Sequence, residues 1–240
     1  MLTPEEMKDR TLKLVKEGKF IEGIYNYCDR WCEKCQLTNR CLNYESDKNA
    51  PPPDSQDLFE YLDNVFKATM LMLDELMQEM GIDPAEVEKM ELPEEPDPRE
   101  HPLYKKSYNL SMSMHKWLEE NKPDDLLTGI IDPGKDDNKI YDAIEIIYFY
   151  NFFISAKIFR ALSGINDFEP SEIQTDANGS AKIALIAIDR LIPAWSILME
   201  VLKDHEDAIL QFLISLADIK KKTESIFPNS RKFISPGFDE

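Results

Sequence analysis

Along most of this chain, apolar residues recur at intervals of three and four rather than two, and the eight glycines and fifteen prolines gather mostly between these periodic stretches. That pattern predicts an all-α protein, a bundle of roughly six to eight helices. Thr3 followed by Glu6 reads as a capping box opening a helix to about Val15, with Gly18 as its stop. A second helix is expected from near Phe20 into the segment that follows. The run NAPPPD at 49–54 forbids helix. Next, Leu58, Leu62, Val65, Phe66, Thr69, Leu73, Leu76 and Met80 line one stripe of a long amphipathic helix over 55–80, ended by Gly81, and Asp83-Pro84 starts a short successor.

The stretch ELPEEPDPREHP at 91–102 reads as an acidic, proline-rich linker. A helix over 103–121 follows, then a polar loop over 123–137. Beyond it the periodicity fades, because the segments 138–163 and 179–202 are apolar around nearly their whole circumference. They are therefore expected to be the most enclosed helices of the bundle. Pro193 predicts a kink or break near Asp189. A last amphipathic helix over 204–226 precedes a tail whose Phe233 and Phe238 are candidates to dock on the body. The expected organisation is an N-terminal portion over 1–50, a bundle over 54–228 and a tail over 229–240, joined as one compact unit.

Composition narrows the function. The formal charge is −18, from 46 acidic against 28 basic residues, a balance that repels phosphate backbones and anionic lipid. Nucleic acid and membrane surfaces are therefore not expected partners; a basic protein face is. No apolar run reaches the roughly 20 residues of a membrane span. The first twenty residues are amphipathic and charged rather than signal-like, so the expected setting is cytoplasmic.

The strongest chemical signal is YCDRWCEKCQLTNRC, which holds all four cysteines of the chain: Cys28, Cys32, Cys35 and Cys41. Thiols so concentrated in a reducing setting point to a metal site rather than to disulfides. The spacing C-x3-C-x2-C-x5-C lacks the second knuckle typical of structural zinc. Thiolates sharing one zinc ion approach to about 3.8 Å on a ~2.3 Å Zn–S bond, whereas a four-iron cubane spreads its thiolates one per iron. Cys28, Cys32 and Cys35 fall at i, i+4 and i+7, so a helical turn would aim three sulfurs to one side, with Cys41 closing from a returning loop. An iron–sulfur cluster of the [4Fe-4S] type is the leading expectation and zinc the alternative.

The fragment Cys28-x3-Cys32-x2-Cys35 resembles the cluster loop of radical SAM enzymes, and Cys32-x2-Cys35-x5-Cys41 is similar to cluster-binding stretches of SPASM-type domains and of RecB-like CRISPR-associated nucleases. These resemblances imply cluster binding over a dozen residues and carry no enzymology, since the rest of the chain lacks alternating strands and helices. Across its length the chain also resembles an uncharacterised bacterial family with a CDRWCEKC-type motif, a GSAKIALIAIDR segment and a PGFDE-type terminus. Here these are Cys28 to Cys35, Gly179 to Arg190 and Pro236 to Glu240.

Other chemistry is sparse. Glu145, Lys182, Asp189 and Arg190 interrupt the two most apolar segments, and charges removed from water need partners. They either line a polar pocket or form an interhelical ion-pair network, the latter being the favoured reading. No Glu-x-x-His pair suggests a di-iron bundle, and His101, His115 and His205 are scattered. No GxGxxG, P-loop or GxSxG occurs. Whether the protein is an enzyme, and its oligomeric state, are not legible. The overall expectation is a metal-binding helical protein in electron transfer or redox sensing, with a zinc-stabilised interaction module as the alternative.

Overall fold

A computed structural model describes residues 2–48, 50–52, 54–87, 96–123, 138–165 and 172–239. Among these residues there is no strand, and seven helices are eleven residues or longer; the protein is all-α. The chain divides into two compact units, residues 1–94 with 236–240, and residues 95–235. This division differs from the single unit expected: the boundary falls at the acidic proline-rich stretch, and the last five residues belong with the first ninety-four.

In the first unit, helix α1 (Pro4–Lys16) opens with the capping box. Thr3 Oγ1 accepts from the Glu6 N–H at 3.3 Å, and Glu6 Oε2 accepts from the Thr3 N–H at 2.9 Å. Helix α2 (Leu42–Asp47) is short. Helix α3 (Leu58–Met80) ends at Gly81, whose φ of +68° glycine adopts without steric cost. Helix α4 (Pro84–Val87) starts where the Asp83 carboxylate accepts from the Ala85 N–H at 2.9 Å. α1 and α3 pack together, tied by the Lys8–Glu75 ion pair and by an Asn64 Nδ2 bond to the Leu2 carbonyl. α3 encloses only Ala68 fully, and most of the apolar stripe anticipated as core faces outward.

The second unit is built around helix α8 (Asp176–Val201), preceded by α5 (Pro102–Asn121), α6 (Asn138–Tyr150) and α7 (Phe153–Ser163) and followed by α9 (Glu206–Ile226). α6, α7 and α9 all lie against α8. Its all-round apolarity is what such enclosure requires, and Ala184, Leu185, Ile188, Leu191 and Trp195 have no solvent exposure. Each large apolar side chain so enclosed contributes roughly 1.5–3 kcal/mol. Trp195 meets Trp117 of α5 edge-on at 5.4 Å and Phe212 of α9 at 4.9 Å.

Two helix boundaries depart from expectation. The segment expected as one helix over 138–163 is two, separated at Asn151 and Phe152. The Asn151 carbonyl at the break accepts from Ser111 Oγ at 2.6 Å, and the Phe152 carbonyl, which accepts from the Ala156 N–H, takes a second bond from Ser155 Oγ at 2.9 Å. Conversely, α8 continues through Pro193. Thr175 Oγ1 caps it by accepting from the Asn178 N–H at 3.1 Å. The linker reading over 91–95 and the loop reading over 124–137 lie outside the described residues; residues 98–100 form a 3-10 turn. Among the described residues no helix is long and apolar enough to cross a membrane.

Candidate metal centre

The segment between α1 and α2 is not the helix expected from the i, i+4, i+7 spacing. Gly23 takes a left-handed conformation with φ +71°, and Arg30, between Cys28 and Cys32, takes φ +60°. Either residue breaks an α-helix. An Asx turn, in which Asp29 Oδ1 accepts from the Trp31 N–H at 3.1 Å, competes locally with helical bonding as well. The chain instead winds through three 3-10 turns, at Ile24–Asn26, Cys32–Lys34 and Thr38–Arg40. Its two ends are tied by the Ile21 N–H donating to the Arg40 carbonyl at 3.0 Å. That bond closes a loop carrying Cys28, Cys32 and Cys35 and delivers Cys41 at its exit.

All four cysteines are half-buried and none is in a disulfide. Burial pushes the Cys32 thiol above the ordinary value, and negative charge on Cys28, Cys41, Cys35 and Glu33 raises it further. The Cys32 thiol thus feels the three other thiols of the segment. The Leu37 N–H donates to Cys35 Sγ at 3.4 Å, and Cys28 Sγ lies 3.8 Å from the Tyr25 carbonyl. Among the described residues, no three His, Cys, Asp or Glu side chains stand close enough together to hold a single metal ion. Of the aromatics near the cysteines, Trp31 is enclosed, with Lys34 Nζ 5.6 Å from its ring centroid, while Tyr25, Tyr27 and Tyr44 are half-buried.

The residues at 236–239 form a further wall of this unit. Gly237 has φ +78°, and a Cβ placed there would stand 2.7 Å from Ile21 Cδ1, 3.3 Å from Ile24 Cδ1 and 3.5 Å from Leu37 Cδ1. Only glycine fits. Leu37 therefore touches this wall with its side chain while its N–H serves Cys35. Of the two tail aromatics, Phe233 is enclosed in the second unit and Phe238 is largely exposed. The Pro-Gly pair at 236 and 237 was the sequence signal for this turn.

A cavity of about 420 Å³ lies in the same unit, with Arg10 and Leu14 of α1, Asp47 of α2 and Tyr61 and Met72 of α3 among its lining. Burial raises the Tyr61 phenol; Asp47 adds to this and Arg10 opposes it. Tyr25 and Leu42, which border the cysteine segment, also line the cavity. No sequence motif marked it.

The four charges expected in the two apolar segments point in different directions. Asp189 pairs with Arg231 at 2.6 Å and with Lys220 at 2.8 Å, and Arg231 also reaches Glu224 at 3.0 Å. Burial pushes the Asp189 carboxyl up, but the bonds from Arg231 and Lys220 outweigh it and hold it below the usual range. Lys182 Nζ donates to the Phe233 carbonyl at 2.6 Å. Arg190 donates to the Tyr150 hydroxyl and stacks over that ring at 5.5 Å. Neither these residues nor Glu145 line the cavity above. The histidines are apart from the cysteines: His101 Nδ1 caps α5 by accepting from the Leu103 N–H, His115 lies 3.6 Å from Glu119, and His205 packs on Trp117.

Comparison with family models, with curated proteins and with solved structures returned no match.

Proposed function

We propose that Cys28, Cys32, Cys35 and Cys41 ligate one [4Fe-4S] cluster and that the protein serves electron transfer or redox sensing. The single observation carrying this reading is that all four cysteines of the chain, half-buried and in no disulfide, fall on one segment whose ends are tied by the Ile21 N–H bond to the Arg40 carbonyl. A cubane takes one thiolate per iron and so suits four cysteines on one contiguous segment, whereas structural zinc is commonly held by two separate knuckles, of which this chain has one. Four protein ligands leave no iron open to substrate, so the cluster moves electrons rather than activating a bound molecule. The Leu37 N–H bond to Cys35 Sγ supports it as well, since hydrogen bonds to the sulfurs tune cluster potentials. The surface charge of −18 favours a basic redox partner over nucleic acid or anionic lipid.

Purification without oxygen tests this. The expected result is a brown protein with iron and acid-labile sulfide in equal amounts, bleached by dithionite. A colourless protein with one zinc per chain overturns the iron reading and establishes the alternative, a zinc-stapled helical interaction module. A protein free of both metals overturns each.

A further inference from the structure

α3 carries a second apolar seam that its packing on α1 leaves uncovered. Phe59, Phe66, Leu73 and Met80 recur every seven residues, and Leu62, Thr69 and Leu76 recur every seven between them. This is the a/d pattern of a helix that packs lengthwise on another helix, with a 3.5-residue period that holds one seam toward its partner. Every position of the seam is exposed, Phe59 at 82%, Phe66 at 66% and Met80 at 65%. Tyr61, Ala68 and Met72 turn toward α1 and the cavity, and Leu62, Val65 and Thr69 stand where the seam borders that cavity, while Phe59, Phe66, Leu73, Leu76 and Met80 lie clear of it.

We infer that this seam is a homodimer interface, occupied by α3 of a second copy of the chain. Three observations select that occupant. With Val65 and Met70 at its edges, the exposed apolar area comes to roughly 800 Å², the share one partner contributes to a standard stable interface and more than monomers commonly leave bare. The flanking e and g positions are Leu58, Asp63, Val65, Met70, Met72, Met77 and Glu79. Asp63 is neutralised within its own helix by Lys67 at 2.6 Å, so two copies meet without a row of facing like charges. By the same token the seam offers almost no ionic contacts to select a basic helix. Finally, the one polar seam residue is already satisfied, because Thr69 Oγ1 donates to the Val65 carbonyl at 2.9 Å. Two α1–α3 pairs joined along this seam make a four-helix bundle.

Sedimentation equilibrium of the full chain at micromolar concentrations tests the inference. A dimer is expected, its dissociation constant falling as salt rises, because each copy carries −18. Phe66→Glu with Leu73→Glu should raise that constant by about 100-fold or more, while Phe66→Leu should leave it within about threefold. Far-UV circular dichroism of the double variant should match the parent, since both side chains are exposed. A monomeric parent across this range, or a dimer indifferent to the double variant, overturns the inference. So does a monomer whose seam amides are protected from hydrogen exchange, which would place another part of the same chain on that face. The measurement is made on the full chain as isolated, with its metal content determined alongside, so that loss of the dimer is distinguished from loss of the cysteine centre.

Discussion

Residues 95–235 enclose three aromatic side chains, Trp117, Trp195 and Phe212, in one cluster and bury most of one face of every helix around α8, whereas residues 1–94 enclose only Ile24, Trp31 and Ala68 among their described apolar side chains. Both units carry long helices, so helix content does not separate them. What differs is how the order is maintained. Burial on the scale of the second unit offsets the conformational entropy lost on folding. A unit with so few enclosed side chains relies on staples, and small scaffolds obtain these from metals or from association. The proposed cluster on the four thiols and the proposed dimer along the exposed seam of α3 would each supply the first unit with such a staple.

The sharpest way to break this contrast is to remove the centre. On the proposed cluster, Cys35→Ser or chelation should abolish the cooperative structure of the first unit and leave the second folded, because the free energy of binding a structural metal centre is folding free energy. Limited proteolysis read by mass spectrometry should show new cleavages confined to residues 1–94. Loss of both units together would refute the contrast. Next in size is Trp195→Ala, expected to cost about 3–5 kcal/mol in the second unit by chemical denaturation, with the metal content of the first unchanged. Gly237→Val should cost the first unit about 2–3 kcal/mol, because the new side chain meets Ile21 and adopts an unfavourable φ. Its readout is faster metal release to a chelator, with the second unit's midpoint unmoved.

The smallest expected effect concerns acid. Hydrogen bonds from Lys106 and Lys222 hold the Asp218 carboxyl down to about 2. Its folded value lies below the unfolded value of about 3.9, so its contribution is full above that value and is lost as pH falls through 2. Asp218→Asn should flatten the fall of the second unit's Tm in that window and leave Tm values for the first unit unaffected. An unchanged acid limb would show that the pair, which is partly exposed, contributes nothing there.

Local signals were legible where one residue type alone meets the local need. Thr3 and Glu6 form their capping box, Gly81 ends α3, and the apolar segment over 179–202 became the enclosed helix of the second unit, whereas that over 138–150 leaves Tyr141, Glu145 and Tyr148 exposed. Periodicity failed where it could not choose between two faces or two partners. The stripe on α3 has the repeat of a core-facing helix, but a repeat does not say whether the covering surface belongs to the same chain. The spacing of Cys28, Cys32 and Cys35 fitted a helix, but two left-handed residues, one of them not glycine, overrode it. The break at Asn151 depends on Ser111, forty residues earlier, which accepts none of the burden until the fold brings it there. At the candidate centre, the cysteines themselves were visible from composition; Leu37, Ile21 and Gly237, which position them, were not, because their role arises from contacts distant in sequence.

The place of Gly237 sets an order of events during synthesis. The cysteine segment leaves the ribosome early, but the wall that Gly237 supplies against Ile21, Ile24 and Leu37 is made roughly two hundred residues later. The portion translated first is therefore the portion completed last, and its cysteine segment lacks that wall while the second unit is being made.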